Sequence, residues 1–86
     1  MKKEYKLMLE TSGTKYKTEG ETMLEAMQAI PLAWNKLKAK GEITVMKGKL
    51  KYTHLFYLKP LRRILINKTT KIMWAKRLEI LLEATK

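Results

Sequence analysis

Between residues 5 and 18 the chain alternates apolar and polar side chains on both sides of Ser12-Gly13, and this pattern restricts its folding more than any other. Tyr5, Leu7 and Leu9 interleave with Lys6, Met8 and Glu10, a period of two that gives a strand one apolar face. Gly13 supplies the positive φ that a two-residue hairpin turn requires. With the turn at Ser12-Gly13, Thr11 faces Thr14, Glu10 faces Lys15 and Leu9 faces Tyr16. An ion pair then lies on one face and an apolar pair on the other. A lone hairpin is marginal in water, so later segments must cover its apolar face.

The first cover is a helix. Met23, Met27, Ile30, Trp34 and Leu37 recur at spacings of four and three, the stripe of an amphipathic helix. Glu21 and Glu25 suit its N-terminal end, and Lys36, Lys38 and Lys40 suit its C-terminal end before Gly41. Pro31 interrupts the stripe. An interior proline removes a hydrogen bond and costs about 3 kcal/mol, which predicts a kink or break near Ala29 and Ile30 and a second short segment from Pro31. The Met and Trp stripe reads as core, not as a ligand groove.

Residues 42–58 form a second expected hairpin. Ile43 and Val45 alternate with Thr44 and Met46, and a turn at Lys47-Gly48 sets Val45 opposite Leu50 and Ile43 opposite Tyr52. Lys49, Lys51, Thr44 and Thr53 then share the other face. The far half of the strand, His54 to Leu58, outruns its partner and is expected to pair with the first strand at the centre of the sheet. Pro60 opens a helical tail at its first position, with Leu61, Ile64 and Leu65 as its stripe and Asn67-Lys68 as its end. Thr69 or Thr70 is the expected cap of a last helix, Lys71 to Glu83. That helix carries Trp74, Ala75, Leu78, Leu81 and Leu82 on one face and Met73, Ile80 and Ala84 on another. Two apolar sides predict two neighbours, the second being the preceding helix or another copy of the chain. The expected class is α+β: two β-hairpins flanking a helix, β-grasp-like or a plain antiparallel sheet, followed by two C-terminal helices.

Composition fits one small basic domain over residues 1–86, with 19 Lys or Arg against 8 acidic residues and a net charge of +11. So short a chain has little room for a deep cleft between domains. The apolar share of 45% exceeds that of a disordered tail. The charge is uneven. Residues 1–35 balance five lysines with five glutamates, whereas residues 36–77 carry ten lysines and three arginines against Glu42 alone. A block of this kind marks either a solvated face or a polyanion partner.

Catalytic chemistry has little to work with. His54 is the only histidine, and Asp and Cys do not occur. Zinc sites, catalytic triads and nucleophile–base pairs need more than this, so neither enzyme activity nor a metal or cofactor is expected. His54 shares a strand face with Tyr52 and Phe56 and reads as structural. Gly48-Lys49 is only a fragment of a phosphate-binding loop. The absence of cysteine fits a reducing compartment. Met1-Lys2-Lys3 resembles a signal-peptide start, but Glu4, Lys6 and Glu10 interrupt the apolar stretch that should follow. No apolar run approaches the roughly 20 residues of a membrane span. The cytoplasm is the expected location and a membrane partner is not expected.

The stretch Pro60 to Leu82, PLRRILINKTTKIMWAKRLEILL, together with the hairpin-helix start, resembles in style the small uncharacterised proteins encoded by tailed bacteriophages and prophages. The resemblance covers the chain without a diagnostic motif and carries over no functional residue. It implies a viral setting in a host cytoplasm or a virion, where small basic domains bind nucleic acid, build virions or block host proteins.

Two functions follow as expectations. The first is non-catalytic binding of DNA or RNA through phosphates. Arg62, Arg63, Lys68, Lys71 and Lys76 provide one cationic surface on the helical tail, and Lys49, Lys51, Lys15 and Lys17, with Lys6, a second on the sheet. Lysine outnumbers arginine sixteen to three, which favours backbone contact over base readout. Arg62, Arg63 and Lys71 are expected to contribute more than the sheet lysines. The second function is protein docking, as a virion or assembly subunit, a homo-oligomer or a host-factor inhibitor. It would use Met73, Ile80 and Ala84, helped by exposed Met8 and Met46.

Overall fold

The computed structural model describes residues 3–30 and 39–85. The first hairpin forms in the expected register. Strands β1 (Tyr5–Thr11) and β2 (Thr14–Gly20) are antiparallel, with Thr11 opposite Thr14, Glu10 opposite Lys15 and Leu9 opposite Tyr16. Ser12 and Gly13 both take positive φ, 50° and 78°, as a type I′ turn requires. The chain then closes tightly onto a helix, because a β-carbon at Gly20 would lie 2.6 Å from the Ala26 backbone nitrogen.

Helix α1 (Met23–Gln28) begins in a capping box: Thr22 Oγ1 accepts from the Glu25 N–H, and the Glu25 carboxylate accepts from the Thr22 N–H. Glu21 precedes this cap and donates its own N–H to Glu25 at 2.7 Å. The helix stops at its C-cap, Ala29, where the following proline predicts a break. Trp34, Leu37, Lys36 and Lys38, and the segment expected to start at Pro31, lie outside the described residues.

The second hairpin joins β3 (Gly41–Lys47) to β4 (Leu50–Phe56). Its turn is Gly48-Lys49, one residue later than expected, so Val45 faces Tyr52 and Ile43 faces His54. The shift has a conformational cause. Gly48 takes a φ of 61° as the first central residue, whereas a type I′ turn at Lys47-Gly48 would force lysine into the left-handed region. The pairing moves by two residues, so every side chain keeps its face.

The sheet order is β2-β1-β3-β4, antiparallel throughout. Of the two expected arrangements, the plain antiparallel sheet is the one that forms. The expected pairing of the first strand with His54–Leu58 does not occur: β4 is an edge strand, and β3 occupies the centre beside β1. Leu7 meets Val45 and Leu9 meets Ile43 across that central pair, which joins the most apolar residues of both hairpins. Residues beyond Phe56 are taken by helix α2 (Leu58–Ile66), in which Pro60 is the third residue and not the first.

Helix α3 (Lys68–Glu83) starts three residues earlier than expected, and its cap is Asn67, not Thr69 or Thr70. Asn67 Oδ1 accepts the Thr70 N–H at 3.2 Å. The helices lie on one face of the sheet, with α1 against β1 and β2, and α3 against β3 and β4. Leu7, Leu9, Ile43 and Val45 meet Met23, Met27, Leu61, Ile64, Leu65, Leu78 and Leu82 in one core. Each such side chain contributes roughly 1.5–3 kcal/mol by leaving water. Among the described residues no helix is long and apolar enough to cross a membrane.

Candidate functional site

Burial of the core stripes decides which cations face outward. Helix α2 turns Leu61, Ile64 and Leu65 inward, which leaves Lys59, Arg62 and Arg63 exposed. Helix α3 turns Ala75, Leu78 and Leu82 inward and leaves Lys68, Met73, Lys76, Arg77 and Ile80 exposed. From residue 58 to residue 85 the chain holds seven Lys or Arg and only Glu79 and Glu83.

One expected member of this surface is misplaced. Lys71 is buried at 8% exposure. Because α3 begins at Lys68, position 71 falls on the inward stripe with 75, 78 and 82, and desolvation lowers the ammonium pKa from its ordinary 10.5. It belongs to the packing and not to the exposed cationic face.

The sheet face also departs from expectation. Lys6, Lys15, Lys17 and Lys51 do point away from the helices, but Glu10, Glu19 and Glu42 share that face. Lys6 lies opposite Glu19, and Lys15 Nζ reaches Glu10 at 4.0 Å. Four lysines against three glutamates leave little net field. Lys49 is a turn residue at one end. At the centre Thr44 and Thr53 hydroxyls are hydrogen-bonded at 2.9 Å, and Met8 and Met46 are half-buried rather than exposed. Lys15, Lys17 and Lys51 therefore lie across the sheet from Arg62, Arg63, Lys68 and Lys76, as the expectation of two separate cationic surfaces has it.

Trp74 sits where the helical cations meet the edge strand. Its half-buried indole touches Phe56 edge-on, with centroids 4.7 Å apart, and His54 at 5.1 Å. The Arg77 guanidinium lies over the same ring at 5.1 Å from its centroid. On one side of Trp74 a groove of about 300 Å³ is lined by Lys59, Pro60, Arg63, Thr70 and Met73. On another a groove of similar size is lined by His54, Arg77, Ile80 and Leu81. His54 Nδ1 is hydrogen-bonded to the Tyr52 hydroxyl at 2.9 Å, which fits its structural reading.

Lys59, Trp74 and Arg77 were not among the expected site residues. Their spacing carries the signal: Lys59 and Arg63 are four apart on α2, and Trp74 and Arg77 three apart on α3, distances that stack side chains on one helix face. The docking strip is exposed as expected, with Met73 at 44% and Ile80 at 69%, while Ala84 is the exposed C-cap of α3. Away from this region Lys47 Nζ lies 5.0 Å from the Tyr5 ring centroid, and its hydrogen bond with Tyr5 raises its pKa above the ordinary 10.5. Among the described residues no three His or Glu side chains gather as metal ligands. Compared with known protein families, curated proteins and solved structures, the chain matches none.

Proposed function

We propose that this protein is a non-catalytic nucleic-acid binder that grips phosphates with the outer face of α2 and α3. The observation that carries the reading is the separation of charge between the two faces: the exposed cations of the tail have few acidic neighbours, whereas the sheet lysines are interleaved with glutamates. A duplex or single strand laid along the tail would meet Lys59, Arg63, Lys68, Lys76 and Arg77, and the lysine bias of the chain favours contact without strong base preference. The resemblance to phage-encoded proteins suggests action in the cytoplasm of an infected host. Anisotropy of a labelled mixed-sequence duplex, and of one of its strands alone, at low salt tests the reading. Binding that falls steeply with salt supports it, and an unchanged signal at every protein concentration ends it.

A second reading, docking to a protein or to another copy, rests on Ile80 and Met73 standing exposed on the outer side of α3. Sedimentation tests it. If the wild-type chain sediments above monomer mass and Ile80→Lys returns it to monomer with its fold intact, the strip is a contact; a monomer at all concentrations argues against self-association.

A further inference from the structure

Phosphate contact alone does not account for the apolar floor inside the cationic tail. The groove between α2 and α3 is lined by Pro60, Thr70, Met73 and Trp74, with Lys59 and Arg63 at its α2 side. Its volume of about 300 Å³ accommodates one flat heteroaromatic ring, and the two cations lie one helical turn apart beside it. Met73 is 44% exposed at this point, on the outer side of α3 away from the inward stripe of Lys71, Ala75, Leu78 and Leu82. A paired base stays inside its stack. An unpaired one can turn its face to such a wall while its phosphate stays with the cations.

We infer that the groove at Trp74, Met73 and Pro60 receives an unpaired nucleobase of single-stranded nucleic acid, with Lys59 and Arg63 holding the adjoining phosphate. This rests on the proposed polyanion binding and adds a base-dependent component that no purely electrostatic surface has. The Trp74 ring is contacted from neighbouring sides by Phe56, His54 and Arg77, which restricts its rotamers before any ligand arrives. That preorganisation limits the ordering cost of binding.

The probes are a short oligodeoxythymidine and an abasic oligomer of the same length, which carry the same phosphates and differ only in bases. Competition against a common labelled strand is measured with the full chain. The oligothymidine is expected to bind about tenfold more tightly than the abasic strand, the scale of one stacked base. Met73→Ala, at an exposed position outside the core, should shrink that ratio toward one. Equal affinity for both strands overturns the base pocket and leaves phosphate binding standing. Failure of both strands to bind at low salt overturns the nucleic-acid reading itself.

Discussion

Arg77 holds its guanidinium over the indole of Trp74, 5.1 Å from the ring centroid and three residues further along α3. The contact joins the aromatic cluster at the β4 edge to the cationic outer surface of the helix. It also positions a charge that would otherwise sample many rotamers. Replacing Arg77 with Ala should lower stability by about 0.5–1 kcal/mol and reduce the salt slope of DNA binding by about one. Arg77→Lys should restore the slope but recover less of the Tm, because an ammonium stacks less well than a planar guanidinium. Thermal melts and salt titrations of both variants separate the two roles.

The two charged faces should respond differently to neutralisation. Lys59→Gln combined with Arg63→Gln removes two cations from a surface short of carboxylates and should flatten the salt slope by about two. Lys15→Gln combined with Lys17→Gln removes two from a face that also carries Glu10 and Glu19, and should leave the slope nearly unchanged. All four positions lie outside the core, so Tm should shift little in either variant. Equal loss of slope in both would show that the sheet takes part.

Lys71 should be replaceable to advantage. Its folded-state pKa lies below the ordinary 10.5, so at neutral pH the protein carries a charge that burial opposes. Lys71→Met keeps the long stem that packs inward and removes the charge. The variant should be more stable near pH 7 by about 1 kcal/mol, a Tm rise of about 4–8 °C for a domain of this size. Between its folded pKa and 10.5 the unfolded chain holds the Lys71 proton more firmly than the folded one, so wild-type stability rises with pH across that window. The gap between the proteins should therefore narrow as pH approaches 10.5.

Glycine at position 20 is required by space and at position 13 by backbone conformation. A β-carbon at Gly20 would press on the Ala26 nitrogen at 2.6 Å and the Thr22 carbonyl oxygen at 2.9 Å, and neither backbone atom can swing aside. Gly20→Ala should cost about 1–3 kcal/mol. At Gly13 nothing lies within 4 Å, and only the φ of 78° opposes a side chain. Gly13→Ala should cost about 1–2 kcal/mol, which chemical denaturation of the two variants resolves.

Local signals made the elements legible and did not reach their mutual arrangement. Ser12-Gly13 set the first register because alternation on both sides allowed no other. At the second hairpin Lys47-Gly48 and Gly48-Lys49 preserve the same faces, and they differ in that the later turn places the positive φ on Gly48 without forcing Lys47 into the left-handed region. Strand order was less accessible: the apolar residues after His54 suggested a central position, yet α2 takes the chain from Leu58. The placement of Lys71 turns on the helix start: a cap at Thr69 or Thr70 makes position 71 a terminal residue, and the cap at Asn67 makes it an inward one. The sheet charge depends on strand pairing, which brings Glu10, Glu19 and Glu42 beside the lysines of that face. Trp74 read as core, and its part in a groove depends on how α2 and α3 pack, which no periodicity within either helix encodes.

The most direct test of the central claim is an amide chemical-shift titration of the isotopically labelled protein with a mixed-sequence duplex at low salt. Binding through the tail predicts perturbations concentrated on α2 and the outer positions of α3, including Lys59, Arg63, Met73 and Arg77, with small changes at Lys15, Lys17, Thr44 and Thr53. Perturbations centred on those sheet residues, or none anywhere, would contradict it.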